Sequence, residues 1–139
     1  MEATPFEILE HTADVGLVAR GSDLSELFRN AARGMFSLIC DTSRVQKKET
    51  VPIEVRDENL DFLFFAWLDE LLYLTSARRF VFCDFAAEVT EGAARGAAMG
   101  ERMDPARHDL RLEIKAVTYH ELKVVKQNNL WTATVIFDV

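Results

Sequence analysis

The chain has 139 residues, of which 49% are hydrophobic and 28% are charged, a composition typical of one globular domain spanning 1–139. This composition excludes a disordered tail, a collagen-like fibre and a disulfide scaffold, and no apolar run approaches the roughly 18 residues of a membrane span. Sixteen Lys and Arg against 23 Asp and Glu give a net charge of −7. That charge opposes direct binding to RNA, DNA or an anionic membrane, because all three are themselves negative.

The cysteines and the N-terminal sequence bear on the cellular compartment. Cys40 and Cys83 form no C-x-x-C pair, and residues 1–7 lack the basic and apolar regions of a signal peptide. Because unpaired cysteines are typical of reducing compartments, we expect a cytoplasmic protein.

The first 40 residues predict two strands followed by a helix. Short segments at 6–9 and 15–20 have the composition and alternation of strands. Asp23 then caps a helix whose apolar residues fall on one stripe over 24–39. Gly34 disfavours a helix by about 1 kcal/mol relative to Ala, so its presence predicts a close packing contact.

The middle of the chain predicts a strand and a second helix. The strand covers 50–56, and Pro52 indicates an edge position in its sheet. Asn59 caps a helix over 60–76. Because this helix is apolar almost all round, we expect it to lie between two layers.

The second half of the chain is rich in β-forming residues. Strands are expected within 79–90 and 110–126, at 91–103 between loops, and over 131–138, with 127–129 as a turn. The prediction is therefore an α+β domain in which two main helices pack on mostly antiparallel or mixed β-sheet of seven or eight strands.

No motif of a common enzyme class is present. The glycines at 92, 96 and 100 lack the strand–glycine–helix context of a phosphate-binding loop. Asp69 and Glu70 would point about 100° apart on a helix, so they are interpreted as a solvated face. The histidines show no zinc-ligand spacing, and each is interpreted first as a structural residue: His11, His108 and His120.

Oxygen donors form the more informative pattern. Asp14, beside Gly16, interrupts two strands, and it would either satisfy backbone N–H groups in a turn or bind a hard cation. Asp138 is the penultimate residue of the last strand, and the carboxylate of Val139 follows it. If segment 11–14 lies beside this strand end, three oxygen donors converge, and such sites favour Ca²⁺ or Mg²⁺ over zinc. The spacing alone leaves open whether they meet.

Several motifs resemble those of the archease family, and together they cover essentially the whole chain. The motifs are H-T-A-D-V-G at 11–16, A-A-R-G-M-F at 31–36, W-L-D-E-L-L-Y at 67–73, G-E at 100–101, K-A-V-T-Y-H at 115–120 and W-T-A-T-V-I-F-D-V at 131–139. The match is loosest at 91–99.

This resemblance implies an accessory protein rather than an enzyme. Archeases assist the RNA ligase that joins 3′-phosphate or 2′,3′-cyclic phosphate ends to 5′-hydroxyl ends in tRNA splicing and RNA repair. The resemblance implies that the protein promotes guanylylation and multiple turnover of that ligase, broadens its nucleotide use and contacts RNA only indirectly. It also implies a bound divalent cation, typically Ca²⁺ with Mg²⁺ or Mn²⁺ as alternatives, held by Asp14, Asp138 and Val139.

Two other functions stay open. A small metal-dependent hydrolase would hold a catalytic ion on Asp14 and Asp138 and use His120 as a base, although the sequence lacks the second acidic pair or histidine cluster of such enzymes. A general chaperone of an RNA-modifying enzyme would carry a purely structural metal. Adding the protein to its ligase separates these hypotheses, because only a ligase activator stimulates guanylylation.

Overall fold

The computed structural model describes residues 4–10 and 13–139, and within them the chain forms eight strands and two α-helices. A short 3-10 helix, Thr42–Arg44, follows the first α-helix. No helix in the described residues is long and apolar enough to cross a membrane. In chain order the elements are β1 (Phe6–Glu10), β2 (Asp14–Gly21), α1 (Leu24–Ile39), β3 (Glu49–Arg56), α2 (Leu60–Ser76), β4 (Phe80–Thr90), β5 (Ala93–Arg102), β6 (Ala116–Val117), β7 (Lys123–Gln127) and β8 (Leu130–Asp138).

Both helices begin at the caps that the sequence predicts. The Asp23 carboxylate accepts a hydrogen bond from the Glu26 backbone N–H at 2.7 Å, and the Glu26 side chain accepts one from the Ser22 N–H at 2.9 Å. At α2, the Asn59 side-chain oxygen accepts from the Phe62 N–H at 3.1 Å. These bonds satisfy N–H groups that have no partner within the helix, which fixes where each helix starts.

The strands divide between two sheets, and every described strand pair is antiparallel. The larger sheet has the order β1-β2-β8, with β6 and β7 both pairing with β8; the smaller has the order β3-β5-β4. The predicted α+β class is confirmed. Pro52 lies in β3, an edge strand, as expected.

The segment 110–126 contains less strand than its composition suggests. The segment contains only the strands β6 and β7 and an isolated bridge between Leu110 and Cys40, because much of its backbone bonds to other elements one group at a time. The Arg111 N–H donates to the Ile39 carbonyl at the end of α1, at 2.9 Å, and the Lys115 N–H donates to the Asp138 carbonyl in β8, at 2.8 Å.

The two helices lie between the two sheets, and α1 contacts both of them. A Cβ on Gly34 would lie 2.6 Å from the Leu17 Cδ1 of β2, which confirms the predicted close packing contact. On the other sheet, the ring of Phe36 lies 5.5 Å from the rings of both Phe82 and Phe85 in β4.

Helix α2 also contacts strands of both sheets, as its apolar sequence predicts. Its side chain Trp67 is fully buried, and the indole N–H donates to the Phe28 carbonyl of α1 at 3.0 Å. This bond fixes the two helices against each other within the core.

The glycines of β5 serve the pairing of strands. A Cβ on Gly96 would lie 1.8 Å from the Ala86 carbonyl oxygen, and one on Gly100 would lie 2.0 Å from the Val81 carbonyl oxygen. Both carbonyls belong to β4, so these glycines allow a close approach of two backbones.

Candidate metal centre

Two acidic residues meet where the larger sheet ends. In the antiparallel pairing of β2 with β8, Asp14 lies directly opposite Asp138. Side chains at directly opposite positions project from the same face of a sheet, with Cβ atoms about 4.5–5.5 Å apart. The structure therefore brings these two predicted site residues together, and we call them the carboxylate pair.

The alternation of each strand places the carboxylate pair outside the core. The next residues inward, Val15 and Phe137, also lie opposite each other, and they are 7% and 0% exposed. Because successive side chains of a strand point to opposite faces, Asp14 and Asp138 point away from the helices. Asp138 is exposed and Asp14 is half-buried.

On the side of β8 away from β2, backbone hydrogen bonds hold the end of the strand in place. Ala116 of β6 lies opposite Asp138, and the Lys115 N–H donates to the Asp138 carbonyl at 2.8 Å. Val139 is half-buried, and its side chain packs against the hydrophobic core. The backbone on either side of Asp138 is therefore held in place, and this sets the position from which the Asp138 side chain projects.

No ion pair neutralises the carboxylate pair among residues 4–10 and 13–139. The Oδ1 atom of Asp14 is buried and accepts no hydrogen bond there, and neither Asp14 nor Asp138 forms an ion pair. Like charges directly opposite each other destabilise a strand pair, and a buried polar atom without a partner costs about 1–3 kcal/mol. A bound cation would remove both penalties.

The donor atoms fit a hard cation. Carboxylate oxygens are the ligands that Ca²⁺ prefers, whereas zinc sites typically include the thiolate or imidazole ligands that the carboxylate pair lacks. In the described part of the chain no cluster of three or more His, Cys, Asp or Glu side chains is placed to hold a metal. Val139 as the third ligand stays a prediction, and His11 and Thr12 lie outside the described residues.

The structure gives no support to His120 as a catalytic base. His120 is exposed, and its backbone N–H donates to the Thr118 hydroxyl at 3.3 Å. Across the residues that the structure describes, no histidine side chain forms a hydrogen bond with the carboxylate pair. The other sequence candidates, Asp69 and Glu70, lie on α2, and Asp69 is exposed as expected of a solvated face.

A buried polar cluster around Glu101 was missed by sequence reasoning. Glu101 is 3% exposed and accepts from the Gln46 N–H at 2.7 Å, from the Arg107 guanidinium and from His108 Nε2 at 2.9 Å. The Asp104 N–H donates to His108 Nδ1 at 2.9 Å, so the ring is neutral and its proton lies on Nε2.

This cluster joins β5 to the segment that follows it. The hydrogen bonds from Arg107 hold the pKa of Glu101 well below its ordinary value, although burial acts in the opposite direction. No periodic pattern relates Glu101, Arg107 and Gln46 in the sequence, so no local signal pointed to this polar cluster. The cluster confirms the structural interpretation of His108.

Comparisons with known proteins identify the fold and the family. The model of the Archease protein family (MTH1598/TM1083) matches residues 6–139. The protein archease of Sulfurisphaera tokodaii is 36% identical over 136 residues, covering 96% of this chain and 98% of that protein. The protein archease of Methanosarcina acetivorans is 38% identical over 139 residues, covering 96% and 95%.

Two solved structures are similar over almost their whole length. The solution structure of Methanobacterium thermoautotrophicum protein 1598 has a TM-score of 0.83 and 36% identity, covering 97% of this chain and 99% of that one. The Thermotoga maritima archease, described as a possible chaperone, shares the fold with a TM-score of 0.67 at 20% identity, covering 100% and 98%. The chain belongs to the archease family.

Proposed function

We propose that this protein is an accessory factor that activates the 3′-phosphate/5′-hydroxyl RNA ligase of tRNA splicing and RNA repair. It promotes guanylylation and multiple turnover of the ligase and broadens its nucleotide use, and it has no catalytic activity of its own. The observation that carries this proposal is the carboxylate pair, which forms no ion pair with the described residues and lies at the end of a sheet in a chain of the archease family. The description of the T. maritima relative as a possible chaperone agrees with an accessory role.

The charge of the molecule supports a protein partner rather than RNA. A net charge of −7 repels the phosphate backbone but attracts the basic surface that a nucleic-acid-binding enzyme must present. The protein therefore reaches RNA only through its ligase, in the cytoplasm.

We propose that the carboxylate pair, with an oxygen of Val139, holds a divalent cation, Ca²⁺ first and Mg²⁺ or Mn²⁺ next. A bound cation would supply positive charge that neutralises phosphate oxygens of a nucleotide. The chain itself holds the two carboxylates in position. β2 and β8 hold Asp14 and Asp138 in register, and the backbone bond from Lys115 keeps the end of β8 in place.

The test adds the purified protein to its purified ligase and follows guanylylated ligase with labelled GTP. We expect stimulation by the wild type, loss of stimulation in Asp138→Asn, and full stimulation in Glu91→Gln. The last variant is a control for the change of charge, because Glu91 is also exposed and lies in the turn between β4 and β5 of the smaller sheet. Equal stimulation by all three proteins would contradict the role of the carboxylate pair, and RNA turnover by the isolated protein would contradict the accessory role.

A further inference from the structure

Three aromatic side chains form an exposed cluster on α2 and on the loop that follows β6. The ring of Tyr119 stacks on Phe65, with centroids 4.1 Å apart and planes at 11°, and meets Phe62 edge to face at 5.6 Å and 82°. Tyr119 is 62% exposed and Phe62 is 47% exposed, whereas Phe65 packs against the core. We call Phe62, Phe65 and Tyr119 the aromatic cluster.

The loop that carries Tyr119 is fixed at several points. The Thr118 N–H and hydroxyl both donate to the Ile136 carbonyl of β8, at 3.0 and 2.8 Å. Further along, the Val124 N–H donates to the Asp61 carboxylate of α2 at 2.8 Å. The exposed rings are therefore held in one arrangement before any partner binds, which lowers the entropic cost of binding.

One short stretch of chain connects the aromatic cluster with the carboxylate pair. The N–H of Lys115, the residue before β6, donates to the Asp138 carbonyl, and Tyr119 follows four residues later. Four residues span at most about 14 Å, so neighbouring segments of backbone carry the rings and the carboxylate pair. A protein interface of standard size is wide enough to include both segments.

The surroundings of the cluster favour a protein partner. The exposed charges nearby in the chain have both signs, Asp69 and Glu121 against Lys115 and Lys123. Aromatic residues surrounded by a mixed polar rim are typical of protein interfaces, whereas an RNA site needs an excess of positive charge. A second copy of this chain would also carry a net charge of −7 and would be repelled. Charge complementarity therefore favours a basic protein as the partner.

We propose that the aromatic cluster is the docking anchor for the RNA ligase, inserting into an apolar pocket beside the ligase's basic cleft. Docking there places the carboxylate pair against the nucleotide-binding site of the ligase. This inference rests on the proposed function and adds the surface through which the two proteins bind.

The test measures how ligase guanylylation depends on the concentration of this protein. Buried aromatic anchors dominate interface energies, so Tyr119→Ala and Phe62→Ala should raise the half-maximal concentration at least about tenfold. Maximal stimulation should return at saturation, since the carboxylate pair is intact. Tyr119→Phe should behave as the wild type, because it keeps the ring.

Tyr73→Ala is the matched control. Tyr73 is 54% exposed on the same helix, eleven residues beyond Phe62 and hence about 16 Å along the axis. We expect its half-maximal concentration to stay within about twofold of the wild-type value. Unchanged melting temperatures would show that the three alanine variants fold.

The outcomes separate this inference from the proposed function. If Tyr119→Ala and Phe62→Ala keep the wild-type half-maximal concentration while Asp138→Asn abolishes stimulation, the anchor is wrong and the function stands. If the wild type neither binds nor stimulates the ligase, both are wrong. The anchor is also overturned if Tyr119→Ala instead abolishes binding of a single-stranded oligoribonucleotide, or dissociates a dimer in sedimentation.

Discussion

The proposed function depends most on two residues, the carboxylates of the candidate metal centre. Each was identifiable in the sequence as an acidic side chain at a strand end, but their opposition in β2 and β8 depends on a strand register. Register is set by pairing between residues more than a hundred positions apart, which no local pattern encodes. The burial of Asp14 Oδ1, which accepts no hydrogen bond from residues 4–10 and 13–139, likewise became visible only in three dimensions.

Removing one carboxylate should weaken metal binding without lowering the stability of the metal-free protein. In Asp138→Asn with a chelator present, the free energy of unfolding should stay within about 1 kcal/mol of the wild type or rise, because the repulsion with Asp14 is relieved. Added Ca²⁺ at about 100 times its Kd should stabilise the wild type by roughly 2.7 kcal/mol and the variant by much less. Thermal unfolding in both conditions measures this. Equal stabilisation of the two proteins by Ca²⁺ would remove Asp138 from the site.

The buried Glu101 should contribute far more to stability than an exposed glutamate with similar partners. Glu101→Gln weakens the hydrogen bonds that the buried Glu101 carboxylate accepts from the partly exposed Arg107, and it should cost about 1.5–3 kcal/mol. Glu54→Gln is the control, since exposed Glu54 pairs with Arg56 and Arg95 at 2.9 and 3.2 Å and solvent screens such surface pairs, so its loss of stability should be smaller. Urea unfolding of both variants at neutral pH makes the comparison, and similar losses would contradict it.

The contribution of Glu101 should also depend on pH. Its pKa is lowered in the folded protein, so its stabilisation is fully present above the ordinary carboxyl pKa of about 4.3 and is lost as the pH falls below that value. The wild type should therefore lose its advantage over Glu101→Gln in acid. An advantage that is constant from neutral pH to pH ~3 would mean that the charge of Glu101 is not responsible.

At the scale of elements, the helices and single strands were predictable because their signals are local. The caps Asp23 and Asn59 and the apolar pattern between caps set both helices, and the turn before β8 has Asn128 and Asn129 at φ 53° and 62°, the region that asparagine tolerates. The division into two sheets was not predictable, since β4 and β5 form a local hairpin but β3 joins β5 only through non-local contacts. Segment 110–126 misled for the same reason, because its backbone partners belong to α1 and β8.

Two glycine variants should differ in how much they destabilise these elements. Gly34→Ala meets the flexible Leu17 side chain and gains about 1 kcal/mol of helix propensity, so its net cost should be about 0–2 kcal/mol. Gly100→Ala meets the Val81 carbonyl oxygen at 2.0 Å, and backbone cannot move aside, so the cost should be at least about 3 kcal/mol or the protein should not fold. Thermal unfolding ranks them, and a milder effect of Gly100→Ala would contradict the close approach of β4 and β5.

At the scale of the whole molecule, the charge of −7 should govern how fast the ligase is found. Attraction between an acidic protein and a basic cleft accelerates association at low ionic strength, and salt screens it. The association rate constant should fall steeply as the salt concentration rises, whereas the dissociation rate should change little. A rate constant that is independent of salt would place the interface away from the basic surface of the ligase.

The most direct test of the metal centre uses Asp14→Asn, which keeps the shape of the half-buried side chain and removes its charge. The measurement is the maximal rate of ligase guanylylation at saturating variant, with binding to the ligase and the melting temperature checked in parallel. We expect a folded variant that binds the ligase and leaves guanylylation at the rate of the ligase alone. Full stimulation by Asp14→Asn would show that the carboxylate pair is not the functional site of this archease.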